Sequence, residues 1–540
     1  MRVGVFGPRT SRNGAIGAKP FRVFRILSRD SCYTSLVVVF LFLSLILSAC
    51  SHQTTPAATQ TTPSPDLTRV ISTNQPSGET PTGVPTTPEL ATPTHLTPTP
   101  PLPTQATQIL SHYTLTVRID YDLHYLSVEE QITYVNNSGE ALTELVLVVD
   151  PNLYEGVFHL KGLTWENGST INNYQLAGHQ MKIPLDKPRS TLTATESLSI
   201  ALVYELNLPN REAVFGFTNR QINLGDWYPY VPPYISGTGW LVHDSTFYGE
   251  HLVYEMADFQ VNIQLTKPQS ATGGLLTIAA SDLIKKDGDW YRFTHNNARN
   301  FALSISDQYK VLTGTVGEVT LKAYSFPSHP DADQPALQAA MDALKLYSEI
   351  FSPYPHKSLA VVEGDFLDGM EYDGLIFLSH AFYDYFTGDA RNNLVIIAAH
   401  ETAHQWWYAM VGNDQALEPW LDEALCTYTE LLFYEHVYPD LAQWWWDNRI
   451  YFHKPDGWVD ITIYQIAGYR PYRMAVYLRG ALFMQDLRSV MGDEAFFAFL
   501  KDYVNRYSNK IATGDNFFAV VKEHTSADLS NLIKTYFAKR

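Results

Sequence analysis

The stretch that decides the fold of the C-terminal half is residues 394–410, which read LVIIAAHETAHQWWYAM. Its two histidines, His400 and His404, are four residues apart, and an α helix places residues i and i+4 on one face, so both imidazoles can reach one ion. Glu401 lies beside that face, where it can polarise a metal-bound water without binding the metal. The apolar flanks predict a buried helix over about residues 391–410.

A carboxylate downstream completes a set of metal ligands. Eighteen residues separate His404 from Glu423, which belongs to the phrase Trp420-Leu-Asp-Glu-Ala. The preceding Glu418-Pro-Trp is typical of a helix start, so we expect Glu423 in an early turn of a helix over about residues 420–437. Two imidazoles and one carboxylate, with a fourth position left for water, are typical of catalytic zinc. We therefore predict one Zn²⁺ ion, bound by this carboxylate and the two histidines.

A second glutamate of the same helix, Glu430, lies seven residues after Glu423 and shares its face. Ligand histidines donate their other ring N–H to a carboxylate or a carbonyl in most metal sites. Glu430 is therefore either a partner of a ligand histidine or an exposed glutamate, and the sequence leaves both interpretations open.

This pattern resembles the aminopeptidase N family of zinc metallopeptidases. The resemblance rests on His-Glu-x-x-His, an eighteen-residue spacer and a glutamate within Trp-Leu-x-Glu, and it extends over about residues 108–540. It implies an aminopeptidase that hydrolyses peptides at their amino terminus, with Glu401 as general base. It also implies a thermolysin-like, mainly helical catalytic domain with a small sheet.

Two further phrases carry the resemblance. Gly369-Met370-Glu371 is similar to the family's Gly-x-Met-Glu-Asn motif, which implies that these residues bind substrate and that the glutamate binds its α-amino group. Tyr477-Leu-Arg-Gly480 is similar to the family's Tyr-x-Lys-Gly phrase, which implies that Tyr477 donates a hydrogen bond to the oxyanion.

The chain departs from the family pattern at two positions. Tyr372 replaces the motif's asparagine and Arg479 replaces the lysine, so selectivity for a free amino terminus is less secure than zinc binding. The short stretch after Tyr477 leads us to expect no large helical C-terminal domain. Two alternatives stay open: a thermolysin-like endopeptidase, and a non-catalytic surface module that kept the fold.

The residues ahead of the catalytic domain have a different composition and pattern. From His112 onward, short runs rich in Val, Thr, Tyr and Leu alternate with turn signals such as Asn136-Asn-Ser-Gly. Many short strands at such spacing predict an all-β, sandwich-like domain. We place this domain at residues 108–328 and the catalytic domain at residues 329–540, so the fold class is multidomain α and β.

The first hundred residues contain targeting signals. Basic residues precede a short apolar segment that ends in Leu47-Ser-Ala-Cys50, which is typical of an export signal and resembles a bacterial lipobox. We expect residues 1–50 to be a lipoprotein signal, with Cys50 lipidated, and the Thr/Pro-rich residues 51–107 to be a disordered linker. The protein is then extracytoplasmic and held at the membrane by its lipid.

The charge balance excludes one class of partner. Lys and Arg total 38 against 56 Asp and Glu, which gives a net charge of −18. Nucleic-acid binding calls for clustered basic residues, so we expect peptide substrates and no nucleic acid.

Overall fold

The computed structural model describes residues 109–186 and 190–540. The expected export signal, Cys50 and the linker 51–107 lie outside these residues. No helix of the described part is long and apolar enough to cross a membrane.

The strands are numbered here in chain order. They are β1 (Ser111–Asp120), β2 (Tyr125–Val135), β3 (Glu144–Val148), β4 (Phe158–Trp165), β5 (Gln175–Ala177), β6 (Gln180–Pro184), β7 (Ser197–Asn207), β8 (Phe215–Phe217), β9 (Ile222–Leu224), β10 (Tyr234–Ile235), β11 (Gly239–Trp240), β12 (Ala257–Leu265), β13 (Thr277–Ala279), β14 (Leu283–Asp287), β15 (Trp290–Ala298), β16 (Leu303–Ser306), β17 (Lys310–Val316), β18 (Val319–Ser325), β19 (Ser358–Gly364), β20 (Met370–Tyr372), β21 (Leu375–Ser379), β22 (Val411–Gly412) and β23 (Lys510–Ile511).

The helices follow the same scheme. They are α1 (Asp333–Ile350), α2 (His380–Asp384), α3 (Asn393–Ala403), α4 (Trp420–Val437), α5 (Ala442–Trp445), α6 (Tyr469–Arg473), α7 (Arg479–Met491), α8 (Asp493–Tyr507), α9 (Gly514–His524) and α10 (Ser530–Tyr536), with π-helical turns at Trp446–Tyr451 and Met474–Leu478 and 3₁₀ turns at Asp150–Leu153 and Pro439–Leu441.

The N-terminal domain is built on a seven-stranded sheet in the order β14-β15-β12-β1-β2-β7-β4. Its long strands alternate in burial: Leu115, Val117 and Ile119 of β1 are fully buried while their neighbours are not. Burial of every second residue is typical of strands in a sheet that has one apolar face. That face shares one core with the smaller sheets β3-β6-β5 and β13-β16-β9-β8. The predicted β-rich domain ahead of a helical catalytic domain is confirmed.

The catalytic domain has a five-stranded sheet in the order β17-β18-β19-β21-β20. Strand β18, which the sequence analysis assigned to the N-terminal domain, pairs in parallel with β19, and its Leu321 and Ala323 pack in the core under α1. The expected boundary at 328/329 therefore lies too late, and we place it before Lys310. The boundary was placed too late because the sequence pattern of a β hairpin is the same whichever sheet the hairpin joins.

The predicted helix over about residues 391–410 is shorter than expected. Helix α3 starts after Asn392, whose side chain accepts a hydrogen bond from the Leu394 amide, and it ends at Ala403. Beyond it, Trp406 and Trp407 remain fully buried, which explains why the apolar pattern continues past the helix end. Tyr408 has a φ of 142°, which is incompatible with a helix.

Other helices of this domain are interrupted or short. Residues Tyr469–Met491 form α6, a π-helical turn and α7, and the C-terminal residues form the two helices α9 and α10. Helix α4 matches its expected range of 420–437.

Candidate active site

The three predicted metal ligands meet in the buried space between α3 and α4. His400 Nε2 lies 3.2 Å from His404 Nε2 and 3.2 Å from Glu423 Oε2, and His404 Nε2 lies 3.6 Å from the same oxygen. All three side chains are at most 4% exposed. The spacing of two histidines on one helix, facing a glutamate in the first turn of the next, therefore brings three metal-binding atoms together.

These distances fit a zinc ion. Ligand atoms around a tetrahedral zinc with bonds of about 2.0–2.1 Å lie about 3.3 Å apart. The separations of 3.2, 3.2 and 3.6 Å between His400, His404 and Glu423 match that value. Two neutral imidazoles and one carboxylate are also the donor set that zinc takes in open, catalytic sites.

Both histidines are oriented through their second ring nitrogen. His400 Nδ1 lies 2.8 Å from Glu430 Oε1, and His404 Nδ1 lies 3.1 Å from the Trp407 carbonyl oxygen. These contacts hold each ring with Nδ1 protonated and Nε2 free to bind a metal. The structure thus places Glu430 in contact with a ligand histidine and not at the surface.

Glu430 is itself held by a buried network. Arg449 donates to both of its oxygens, at 2.8 Å to Oε2 and 2.6 Å to Oε1, and the Trp445 indole donates to Oε2 at 2.9 Å. Burial alone would raise the pKa of Glu430, but the charge of Arg449 and the bond with His400 outweigh it, and the pKa lies below its usual value. Glu430 is therefore ionised, and it favours a protonated Nδ1 on His400.

Glu401 lies next to the ligands and faces Gly369. A Cβ at Gly369 would lie 2.1 Å from Glu401 Oε1, so only glycine fits beside this carboxylate. Burial raises the pKa of Glu401 to about 8 against the opposing effect of the two histidines. Its Oε2 has no hydrogen-bond partner in the described protein, which leaves this oxygen available to a water or a substrate.

A group of carboxylates lies beside the ligand set. Carboxylate oxygens of Glu250, Glu371 and Glu423 lie within 4.8 Å of one another. Glu371, in edge strand β20, accepts a hydrogen bond from Gln415 Nε2 at 3.1 Å. Burial, reinforced by the charges of Glu371 and Glu423, raises the pKa of Glu250 well above its usual value. The crowding of these acids favours binding of a cationic group among them.

Tyr477 completes the set of predicted site residues. Its hydroxyl donates to Glu423 Oε1 at 2.5 Å, and its ring stacks on His400 with centroids 6.0 Å apart. Gly480, one turn later, lets α7 approach α4, because a Cβ there would lie 2.3 Å from the Ala424 Cβ. The Tyr-x-x-Gly spacing thus has a packing reason: the glycine brings the tyrosine to the ligands.

One cavity of about 1020 Å³ is lined by the three predicted ligands together with Glu401, Glu371 and Tyr477. Its wall also includes Phe247, Tyr248 and Glu250 from the N-terminal domain. Both domains therefore contribute to the cleft.

The catalytic half of the chain matches a known family. Residues 335–536 match the model of the Peptidase family M1 domain. Curated relatives include Aminopeptidase M1-D of Oryza sativa subsp. japonica, 28% identical over 38% of this chain and 25% of that protein. Aminopeptidase N of Lactobacillus delbrueckii subsp. lactis is 24% identical over 44% of this chain and 30% of that protein. The chain spans about a quarter to a third of the length of these relatives.

Solved structures agree on the fold. The M1 zinc metallopeptidase from Deinococcus radiodurans is 19% identical, covers 79% of this chain and 93% of that one, and superposes with a TM-score of 0.57. Residues 335–536 are therefore similar to peptidase family M1. A mutant of the Deinococcus protein, described as bound to a Tyr-Ser-Ala substrate, is also similar, with a TM-score of 0.54 and 19% identity over 80% of this chain and 94% of that one.

The two departures from the M1 pattern lie away from the ligands. The Tyr372 hydroxyl donates to Asp226 Oδ2 of the N-terminal domain at 2.8 Å, and Gly225 leaves room for its ring. Arg479 Nη2 donates to the Thr535 carbonyl oxygen at 2.7 Å, beside α10. Both substitutions therefore join parts of the fold and leave the M1 centre itself unchanged.

Sequence reasoning missed three residues in or near this candidate site. Glu250 lies in an irregular segment of the N-terminal domain, and Arg449 follows a tryptophan cluster, so neither belongs to a recognisable motif. Arg299, also from the N-terminal domain, donates to the carbonyl oxygens of Tyr408 at 2.6 Å and Ala409 at 2.9 Å, just after the metal-binding helix. For Arg299, the only sign of a role is its burial next to an irregular turn, and burial is visible in the structure but not in the sequence.

Proposed function

We propose that the protein is a zinc-dependent aminopeptidase that releases single residues from the amino terminus of peptides. The observation that carries this proposal is the position of Glu250 and Glu371 beside the ligand Glu423. Neither of these two acids forms an ion pair with a basic residue of the described chain. A buried, uncompensated pair of carboxylates favours binding of a cationic group, and the free amino terminus of a peptide supplies one.

One zinc ion is proposed at His400, His404 and Glu423. When bound there, zinc supplies Lewis-acid polarisation of a carbonyl oxygen and makes water more acidic. The separations of the three donor atoms and the protonated Nδ1 of each histidine support this assignment.

Glu401 is proposed as the general base. It takes a proton from the attacking water and passes it to the leaving amine. Its unpartnered Oε2 and the space left by Gly369 support this role, since both keep the carboxylate accessible to the reacting atoms.

The remaining residues orient the substrate. Glu250 and Glu371 accept hydrogen bonds from the ammonium, so the first peptide bond is the one cleaved. The Tyr477 hydroxyl donates a hydrogen bond to the developing oxyanion. Burial raises the pKa of Tyr477 well above its usual value, which keeps this proton in place.

Paired peptides test the proposal. The same sequence is supplied with a free and with an acetylated amino terminus, with and without a zinc chelator. We expect chelator-sensitive release of single residues from the free peptide only. Internal cleavage of both peptides would point to the endopeptidase alternative, and zinc binding without any turnover on a broad peptide library would point to the binding module.

We also propose that the protein is anchored outside the cytoplasm by a lipid on Cys50. The support is the sequence alone, namely the basic start, the apolar segment and Leu47-Ser-Ala-Cys50. Metabolic labelling with a fatty acid tests this, with Cys50→Ala as the matched variant. We expect label on the wild type and none on the variant, and an unlabelled wild type would exclude the anchor.

A further inference from the structure

A second part of the cleft wall is basic. Arg449, His453 and Arg473 line the same cavity as the ligands and Glu371. The three lie on the π-helical turn at 446–451, on the residues after it, and on α6. Burial and the charges of Arg473, Arg449 and Arg470 lower the pKa of His453. Two guanidinium groups and one imidazole therefore lie together in this part of the wall.

Arg449 and Arg473 differ in how far neighbouring acidic residues neutralise their charge. Arg449 is paired with Glu430 through Nε and Nη2, as described above. Arg473, only partly exposed, has no hydrogen bond or ion pair with another residue of the described chain. Burial, followed by the charge of Arg449, lowers the pKa of Arg473. An arginine that is partly desolvated beside another cation is unfavourable unless an anion joins it.

A neighbouring acid of the cavity wall, Asp368, does not fill this role. Asp368 also lines the cavity, but its Oδ2 accepts from the Tyr469 hydroxyl at 2.7 Å and its Oδ1 from the Gly369 amide at 3.1 Å. It forms no ion pair with Arg449 or Arg473 within the described residues. The guanidinium of Arg473 thus remains available to a ligand.

The cleft therefore has two oppositely charged regions. Glu250 and Glu371 form the acidic one, and Arg473 forms the basic one with Arg449 and His453. A short peptide with free ends is a zwitterion, with an ammonium at one end and a carboxylate at the other. A cavity of about 1020 Å³ is at the upper end of the range that encloses a small ligand.

We propose that Arg473, assisted by Arg449 and His453, binds a carboxylate of the substrate, so that the enzyme prefers short peptides with a free carboxyl terminus. This rests on the proposed aminopeptidase function, which places the ammonium at Glu371. Guanidinium and carboxylate form charge-assisted, often bidentate hydrogen bonds, which give the preference its strength.

The test compares three tripeptides with the full-length enzyme. These are Ala-Ala-Ala with a free carboxyl terminus, the same peptide as its amide, and Ala-Ala-Glu as its amide. We expect kcat/KM for the free acid to exceed that for the neutral amide about tenfold or more, mainly through KM. The glutamate peptide shows whether a side-chain carboxylate can replace the terminal one.

Variants of Arg473 test whether this residue causes the preference for a free carboxyl terminus. Arg473→Gln should bring kcat/KM for the free acid down to that for the amide, and Arg473→Lys should restore part of the difference. Arg118→Gln is the matched control, because Arg118 is exposed on β1 and does not line the cavity. It should keep the wild-type preference.

The outcomes separate this inference from the function on which it rests. Leucine p-nitroanilide has no carboxylate and reports aminopeptidase activity alone. If the wild type cleaves it but treats the free acid and both amides alike, the carboxylate site is wrong and the function stands. If the wild type cleaves none of these substrates, both proposals fall. If Arg473→Gln does not fold, the wild-type comparison decides.

Discussion

Glu430 Oε1 lies 2.8 Å from His400 Nδ1 and 2.6 Å from Arg449 Nη2, so one carboxylate joins a proposed metal ligand to a buried arginine of the cleft wall. Glu430 lies on α4, seven residues after Glu423. Helix α4 therefore provides one proposed ligand, Glu423, and also the residue that orients another, His400. The orientation of the His400 ring therefore depends on the charges of Glu430 and Arg449.

Replacing Glu430 should weaken the metal centre and the fold together. Glu430→Gln removes the charge that favours a protonated Nδ1 on His400, so we expect zinc affinity to fall about 10- to 100-fold. It also leaves Arg449 buried without its counter-charge, which should lower the free energy of unfolding by about 3 kcal/mol. Chelator competition and denaturant unfolding measure the two effects. Glu435→Gln on the same helix, which loses only a pair with Arg488, should change neither.

Adding a single methyl group at Gly369 should impair turnover and spare the metal. The Cβ of Gly369→Ala would lie 2.1 Å from Glu401 Oε1 and must displace that carboxylate. We expect kcat to fall about 10-fold or more, since misplaced catalytic groups lose rate steeply, with zinc content unchanged. Gly162→Ala is the control, because its Cβ would meet nothing closer than 3.8 Å. Normal kcat in Gly369→Ala would show that Glu401 tolerates displacement.

Arg299 should be needed for the turn that follows the metal-binding helix. Its guanidinium donates to the carbonyl oxygens of Tyr408, Ala409, Met410, Lys510 and Tyr254. In Arg299→Met these buried acceptors lose their donor, at about 1–3 kcal/mol for an unsatisfied group, so we expect the free energy of unfolding to fall by at least about 3 kcal/mol. Arg292→Gln, at an exposed position of strand β15, which ends just before Arg299, should unfold like the wild type.

The interface between the domains should lose stability in alkali. His295 of β15 is fully buried between Asp282, at 3.2 Å, and Asp373, at 3.3 Å, and His356 also contacts Asp373 at 2.8 Å. Burial alone would lower the pKa of His295, but the bonds with the two aspartates raise it from 6.5 to about 9. The stabilisation is thus complete below pH 6.5 and is lost as the pH rises through about 9.

Unfolding free energies of the wild type and of His295→Gln, measured from pH 6 to pH 10, test this. The difference between the two proteins should shrink by about 3 kcal/mol across that window, because each pKa unit is worth about 1.4 kcal/mol. His112→Gln, on the partly exposed His112 of β1, serves as control. A difference that grows with pH would contradict a protonated His295.

The ligand set could be predicted from the sequence because its geometry is local. The spacing of His400 and His404 fixes their shared face on any helix, and the start of α4 fixes the turn that contains Glu423. The end of α3 could not be predicted, because Trp406 and Trp407 continue the apolar pattern while the backbone turns towards Arg299. An apolar pattern reports burial, and burial continues here after the helix has ended.

Glu250 shows the limit of sequence patterns more sharply. It lies in a segment without regular secondary structure, in a different domain from Glu371, and no spacing rule relates the two. Only the packing of the two domains brings their carboxylates together with Glu423. The domain boundary was misplaced for a related reason, since strand β18 joins a sheet in which β19, β20 and β21 follow it in sequence.

The most direct test of the account is the zinc content and turnover of Glu401→Gln. The ligands His400, His404 and Glu423 are untouched by this change, so the variant should bind one zinc ion per chain like the wild type. Loss of the general base should lower kcat on a free tripeptide about 100- to 10,000-fold. A variant that binds zinc and still turns over peptide at nearly the wild-type rate would contradict the assignment of Glu401 and the mechanism built on it.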